Sequence, residues 1–357
     1  MPVLREDRLE FFLSSFPRLR IAVVGDLFLD QWLEVDRGLD EVSLETGLTA
    51  YQVVRKRLYA GAAGTVLANL AALEAGELYA IGFTGDDGEG FELRRKLAEL
   101  SVNTGALAVL PDRMTPTYTK PVFLQAPEGK FIESHRFDHR NTQPVSRAAE
   151  DAIIFSLHKI AEKVDAIIAL DQLTAELQGV LGPRVREALT QIAASRAGLI
   201  VYADSRAFIS RFRRIIIKCN DHEAMRIVHP EKTIPFHERI GVEELIPCLR
   251  ELEKSSGGRV FISCGAQGVL VRDKNGTPLL VPAIPVPPPV DTVGAGDACS
   301  SGIVGALCCG ASGEEAAALG NIVASITIQT IGSTGTASPS QVRDRYAAAF
   351  HGAGGGR

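Results

Sequence analysis

From residue 146 onward, short all-apolar runs alternate with longer segments of helical period, and this alternation leaves few architectures open. Helices are expected over 148–163 and 184–195, each followed by a strand, at 166–170 and 199–203. A strand at 214–218 leads into Asn220-Asp221-His222-Glu223, which opens another helix. After a helix over 242–254 come strands at 260–263, 269–272 and 279–281. Strands interleaved with helices of this length imply a doubly wound, mostly parallel sheet with helices on both faces.

The first half adds pieces to that core. Residues 3–16 place Leu9, Phe12, Leu13 and Phe16 on one face of an amphipathic helix ended by Pro17, expected to pack on the outside. An all-apolar strand at 21–25 follows, with Asp26 and Asp30 at its C-terminal end, the edge where open parallel sheets bind ligands. Two period-2 segments, 48–58 and 115–137, flank a helical region, and in the second Tyr118, Lys120, Val122 and Leu124 share a parity. They suggest a small, partly exposed inserted sheet, either a flap that closes over a substrate or an ordinary edge hairpin. The division expected is an N-terminal helix at 1–19, an α/β core at 20–30, 60–107 and 140–350, and a β flap at 31–59 and 108–139. Between the flap segments, a helix over 61–76 is entered through Gly61-Ala62-Ala63-Gly64, and a strand covers 78–83. Gly85-Asp86-Asp87-Gly88-Glu89-Gly90 then turns into a helix ending near Leu100. There is no internal repeat, and 352–357 read as a loose tail.

A chain of 357 residues with 46% hydrophobic residues can bury a large core. Its net charge of -5 gives no reason to expect nucleic acid, and the basic run 206–218 reads as a helix edge leading into a buried strand. Six cysteines show no C-x-x-C pairing, as in reduced, buried cysteines of a cytoplasmic protein. The N-terminus lacks the order of a signal peptide, and no run of about 18 uncharged apolar residues marks a membrane span.

Asp291-Thr292-Val293-Gly294-Ala295-Gly296-Asp297 lies between a proline-rich approach at 282–289 and a run of small residues at 298–309. The glycines let the backbone turn tightly toward a ligand, and the small residues read as a helix with Asp297 in its first turn. By spacing alone, this is either an anion cradle with a carboxylate at its lip or a helix whose Asp complements the dipole.

This motif resembles the D-T-x-G-A-G-D signature of the ribokinase-like (PfkB) carbohydrate kinases, and the resemblance runs in order from about Arg20 to Tyr346. The segment AGAAGTVLANLAALEAG is similar to that family's first signature region, and Gly85 to Gly90 to its G-x-D-x-x-G turn. Within the family, the likeness is greatest to bacterial heptose-phosphate kinases of lipopolysaccharide core synthesis. It rests on VVGDLFLDQW, TPTYTK, RFD at 136–138, ALDQL around Asp171, ADSR at Asp204, NDHE at 220–223 and STGTASP.

The resemblance implies a ribokinase-like fold and the following roles. Asp297 is the general base, and the N–H groups of Gly294, Ala295 and Gly296 hold the transferring phosphate. Asp30 binds sugar hydroxyls, as a carboxylate can by accepting two hydrogen bonds; its plainer reading is a capping Asp after a strand. Asn220 and Glu223 match the N-x-x-E motif that organises Mg2+ through water, a spacing that also suits a helix cap. Ser263, Gly265 and Gly268 match a nucleotide loop, where a glycine-rich hairpin would look the same, and Asn321 an Asn near the adenine. Asp291 and the backbone of Val293 resemble part of a monovalent-cation (K+) site. Asp171 falls in a substrate-binding motif, and Lys120 and Arg136 match basic residues that would favour a phosphate dianion. One departure stands out: where the family has two glycines and then an Asn, this chain has Gly61-Ala62 and Thr65.

The expectation is an ATP- and Mg2+-dependent kinase for a sugar hydroxyl, on a sugar phosphate such as heptose 7-phosphate. A simple-sugar or nucleoside kinase and a non-catalytic sugar-phosphate-binding relative are the alternatives. Exposed flap strands also suggest a homodimer through sheet edges.

Overall fold

In the computed structural model, residues 3–125, 130–235 and 237–350 are described; the expected tail at 352–357 lies outside them. The chain opens with α1 (Glu6–Ser15), β1 (Arg20–Gly25) and β2 (Leu27–Asp36), then the short β3 (Glu41–Val42) and β4 (Thr49–Ala50), and β5 (Val53–Ala62). Next come α2 (Ala63–Ala72), β6 (Glu77–Gly85), α3 (Gly88–Glu99), β7 (Asn103–Leu110), β8 (Thr117–Gln125), β9 (Lys130–Glu133) and β10 (Phe137–His139). The alternating half supplies α4 (Arg147–Ala161), β11 (Ala166–Asp171), α5 (Pro183–Ser195), β12 (Ile200–Ser205), β13 (Ile216–Asn220), α6 (Asp221–Val228) and α7 (Val242–Ser256). It closes with β14 (Val260–Ser263), β15 (Gly268–Arg272), β16 (Pro278–Pro282), α8 (Ala295–Cys308), α9 (Gly313–Thr327) and α10 (Pro339–Phe350).

Among the described residues, nine strands form one sheet in the order β16-β15-β14-β13-β12-β11-β1-β6-β7. It is parallel from β7 to β14, and its last two pairings, β14-β15 and β15-β16, are antiparallel. Side chains of a strand alternate between faces, so Ile21 and Val23 of β1 enter a core with α1, α2, α8, α9 and α10. Ala22 and Val24 enter a second core with α4, α5 and α7 on the other face. Burial on both faces is why the central strands carry no alternating polar residues. The small-residue run of α8 has a packing cause: a Cβ on Gly302 would lie 3.0 Å from Cα of Gly320 in α9, and one on Gly305 would meet the Phe16 ring at 2.4 Å.

The second sheet runs β10-β8-β2-β5, with β9 on the far side of β8, and stands at the C-terminal edge of the parallel strands. β2 pairs antiparallel with β5 and parallel with β8.

Several boundaries differ from the expectations. Asp30 does not end the first strand; it lies inside β2, so the small sheet begins at Leu27 rather than at 31. The apolar run Leu27-Phe28-Leu29 hides that change because its side chains are buried in the new strand too. β5 carries the small sheet on to Ala62, and the main sheet keeps β7 to Leu110, beyond the expected flap start at 108. The N-terminal helix packs as expected, with Leu9, Phe12, Leu13 and the following Phe16 buried against the core and Glu6, Asp7, Glu10 and Phe11 exposed. The basic run leads into the buried strand β13 as expected, but a 3-10 turn at Ile209–Arg211 takes the place of the helix edge, and α10 carries no periodic signal strong enough to announce it.

Candidate active site

Gly294 sits at φ +79°, in the left-handed region that favours glycine, and turns the chain into α8. The N–H of Ala295 is used inside the turn, donating to Thr292 O at 3.1 Å, so of the three expected anion donors this one is already engaged. Gly296, in the first helical turn, has no carbonyl partner within the helix, and neither does Asp297 three residues after the N-cap.

Two cavities meet at this turn, and both are lined by Thr292 and Gly296. The first, about 580 Å3, gathers Asp30, Ala62, Thr65, Lys120, Arg136 and Asp297, residues from β2, β5, α2, β8, the β9-β10 loop and α8. The second, about 530 Å3, gathers Asn220, Glu223, Ser263, Gly265, Gly268 and Asn321. The anion cradle therefore separates two compartments, each of a size that holds a small ligand.

In the first cavity, burial pushes the Asp297 carboxyl up to about 7, with Asp204 adding to the shift while Lys218 and Arg206 oppose it. A carboxylate in that range is suited to take a proton near neutral pH. Burial also raises Asp30, against the pull of Lys120 and Arg136. Lys120 is buried with its Nζ 4.7 Å above the Trp32 ring. Arg136 lies 4.0 Å over the Tyr118 ring and makes paired bonds of 2.6 and 2.8 Å to Asp138. Gly61 does not line the cavity, yet it makes room for Asp30, because a Cβ there would lie 2.7 Å from Asp30 Oδ2. Ala62, where the first signature departs from the family pattern, adopts φ +52°, a conformation costly for a residue with a side chain.

In the second cavity, Asn220 and Glu223 form a reciprocal capping box on α6: Glu223 N donates to Asn220 Oδ1 and Asn220 N to Glu223 Oε2, each at 2.8 Å. Burial and the nearby Asp204 raise the Glu223 carboxyl. Gly265, at φ +53°, faces open space, whereas Gly268 is fixed by crowding, since a Cβ would come within 2.0 Å of Val281 O. The amide of Asn321 is already spent on the carbonyls of Val281 and Pro282, at 2.9 and 3.1 Å, which leaves only its oxygen for a ligand.

One assignment needs correction. Asp171 does not reach the cavity: it is buried, accepts a 2.7 Å bond from Ser205 Oγ, and is pushed to about 7 by burial and by Asp26. Its neighbour Gln172 lines the wall instead. Asp291 acts as a loop latch, its two carboxylate oxygens accepting from Val293 N at 3.0 Å and Gly332 N at 3.1 Å.

Arg206 and Lys218 belong to the site although no expectation named them. Arg206 lines the first cavity, and its N–H is held by Asp171 O at 3.0 Å. Among the described residues its guanidinium has no carboxylate within 4.0 Å. Lys218 lines the second cavity, pairs with Asp204 at 2.5 Å, and places Nζ 3.5 Å from where a Cβ of Gly296 would be. A lysine within the otherwise apolar run 215–219 was the available signal.

Residues 19–341 match the family model described as pfkB family carbohydrate kinase. The bifunctional protein HldE of Wolinella succinogenes is 26% identical over 335 residues, covering 93% of this chain and 65% of that protein. HldE of Pelobacter propionicus is 28% identical over 345 residues, covering 94% and 65%. The chain thus spans just under two thirds of the length of these relatives. Among solved structures, phosphofructokinase-2 from Escherichia coli, in complex with substrates and products, aligns with a TM-score of 0.66 at 19% identity, covering 93% of this chain and 99% of that one. The ribokinase of Arabidopsis thaliana, complexed with ribose and ATP, aligns with a TM-score of 0.64 at 18% identity, covering 92% and 98%.

Proposed function

We propose a sugar-phosphate acceptor for this chain, which belongs to the pfkB family of carbohydrate kinases and is itself a carbohydrate kinase. The first cavity takes the acceptor and the second takes ATP, which supplies the phosphoryl group. Asp30 accepts hydrogen bonds from sugar hydroxyls and orients the ring. Asp297 removes the proton of the attacking hydroxyl as its oxygen bonds to phosphorus and the bond to the leaving nucleotide oxygen breaks. The N–H groups at Gly294 and Gly296, with Lys218 behind them, offset the negative charge on the transferring group. Glu223 faces the second cavity and would act on Mg2+ through the waters that the ion keeps, so no cage of several carboxylates is required, and none is found among the described residues. A monovalent cation such as K+ would lie at the Asp291 latch.

The observation that carries the sugar-phosphate reading is the convergence of Lys120, Arg136 and Arg206 on one cavity. An acceptor with hydroxyls alone has no need of three cations, whereas a phosphate dianion is matched by them. Heptose 7-phosphate is the acceptor we favour, in line with the HldE relatives. A simple-sugar or nucleoside acceptor has its own support in the Arg136–Asp138 pair and the aromatic wall of Trp32, Tyr59 and Tyr118, a suitable platform for a ring face. ADP release measured over a panel of sugars, sugar phosphates and nucleosides separates the two.

We also propose a homodimer through the small sheet. β5 is its edge strand, and Val42, Leu44, Leu48, Val53 and Val54 around it are exposed. Light scattering after size exclusion gives the mass directly. All six cysteines are free, four of them buried, which suits a reducing cytoplasm. Among the described residues, no helix is long and apolar enough to cross a membrane.

A further inference from the structure

The turn Gly85-Asp86-Asp87-Gly88-Glu89-Gly90 lies outside both cavities, and its geometry gives it a different task. Asp87 caps α3, and its carboxylate holds Thr115, the second residue before β8. Oδ2 accepts from Thr115 N at 2.7 Å, and Oδ1 accepts from both Thr115 Oγ1 and Gly90 N at 2.7 Å. Thr115 Oγ1 in turn accepts from Gly85 N at 2.8 Å, and the residue is fully buried. Both glycines are required by close approach. A Cβ on Gly85 would lie 2.4 Å from Arg113 O, and one on Gly90 would lie 2.8 Å from Thr115 Oγ1.

This knot stands at the root of the small sheet. One residue earlier, Met114 exchanges two bonds with the side chain of Asn141, at 3.0 and 2.8 Å, which ties the segment entering β8 to the segment leaving β10. Arg113 donates to the carbonyls of Gln143, Pro144 and Gln178, at 3.0, 3.2 and 2.8 Å. From Gln178 the fastening reaches Asp26, which accepts from Val180 N and Gln172 N. Tyr118 and Lys120 follow Thr115 by three and five residues, and Gln172 is the wall residue at the end of the Asp26 contacts.

We propose that the Asp87–Thr115 clasp is a positioning device that fixes the root of β8 against the core and so sets where Tyr118 and Lys120 stand in the acceptor cavity. Asp87 touches no cavity and acts only through Thr115. Burial alone would raise its carboxyl, yet the bonds from Thr115 and Gly90 hold it below the usual carboxylate range, so the clasp stays charged at neutral pH. The inference rests on the assignment of the first cavity to the acceptor, but not on which sugar occupies it.

The test compares Asp87→Asn and Thr115→Val, which each remove part of the clasp, with Thr115→Ser, which keeps both the hydroxyl and the N–H. Amide hydrogen exchange on the free protein should rise about tenfold across 113–124 in the first two, the equilibrium worth of one lost charge-assisted hydrogen bond, with α8 and β13 unchanged. Trp32 is the single tryptophan and faces Lys120, so its quenching by acrylamide should rise in the same two variants and not in the serine one. With the acceptor selected by the ADP-release panel, the acceptor KM should rise about tenfold while the ATP KM stays within about twofold. Exchange rising equally along the whole chain, or acceptor and ATP KM moving together, would overturn the proposal. The wild-type preference between free and phosphorylated sugars, measured in the same series, tests the substrate assignment separately.

Discussion

The carboxylate of Asp30 fills the space that Gly61 leaves open on the neighbouring strand, with Oδ2 2.7 Å from where a Cβ of Gly61 would stand. Asp30 sits in β2 and Gly61 in β5, two residues out of direct register, so the glycine decides the rotamer of the carboxylate. Gly61→Ala should displace Asp30 and raise the acceptor KM by about ten- to a hundredfold, the worth of hydrogen bonds to a charged group. Steady-state kinetics check it, and an acceptor KM equal to wild type would remove Asp30 from the binding site.

Ala62 next to it carries φ +52°. A left-handed conformation costs an L-residue about 1–2 kcal/mol, of which glycine recovers part after its larger unfolded-state entropy is counted. Ala62→Gly should therefore stabilise the protein by about 0.5–1 kcal/mol, read as a higher melting temperature. It also removes a methyl from the cavity wall, so acceptor preference should broaden toward bulkier sugars.

Asp297 joins catalysis to pH. Its carboxyl is raised to about 7, and only the ionised form accepts a proton, so kcat/KM should fall about tenfold per pH unit below that value and level off above it. Asp297→Asn should lose about two to four orders of magnitude in turnover and the acid limb with it. Stability runs the other way. A carboxyl whose folded pKa exceeds its unfolded value contributes its full stability below the unfolded value near 3.8 and loses it as pH rises through about 7. The Asn variant should accordingly melt higher than wild type at pH 8, and the difference should shrink toward pH 5.

Glu223→Gln makes a clean test of metal binding, because a glutamine oxygen still completes the capping box with Asn220 while the charge is lost. The melting temperature should stay near wild type. The Mg2+ concentration for half-maximal rate should rise by about tenfold, with the acceptor KM little changed. An unchanged Mg2+ requirement would leave Glu223 with its capping role alone.

The fold was legible because burial on both faces writes itself into strands such as 166–170 as unbroken apolar residues, and because helices between them carry their period. The same physics concealed the start of the small sheet: Leu27 and Leu29 are buried in β2 as thoroughly as Val23 is in β1, so no change of pattern marks the crossing at Asp26. At the candidate site, the resemblance singled out Asp30, Asp297 and Glu223, and these residues line the two cavities. Asp171 was misplaced because a carboxylate at the end of a strand can turn inward to Ser205 as readily as outward to a ligand. Arg206 stayed hidden in a basic run that read as a helix edge, since the 3-10 turn at Ile209–Arg211 has no helical period to reveal it.

Three cations in one cavity make the acceptor's charge the central claim. The measurement is kcat/KM for heptose 7-phosphate and for the same heptose without its phosphate, with ATP, in the wild type and in Lys120→Ala, Arg136→Ala and Arg206→Ala. The phosphorylated sugar should be preferred by about a hundredfold or more, as expected for loss of charge-assisted hydrogen bonds to a dianion. Arg206→Ala should erode that preference most, because its guanidinium has no carboxylate partner among the described residues, whereas Arg136 already holds Asp138. Equal kcat/KM for the two sugars in the wild type would contradict a sugar-phosphate acceptor and leave the simple-sugar or nucleoside kinase in its place.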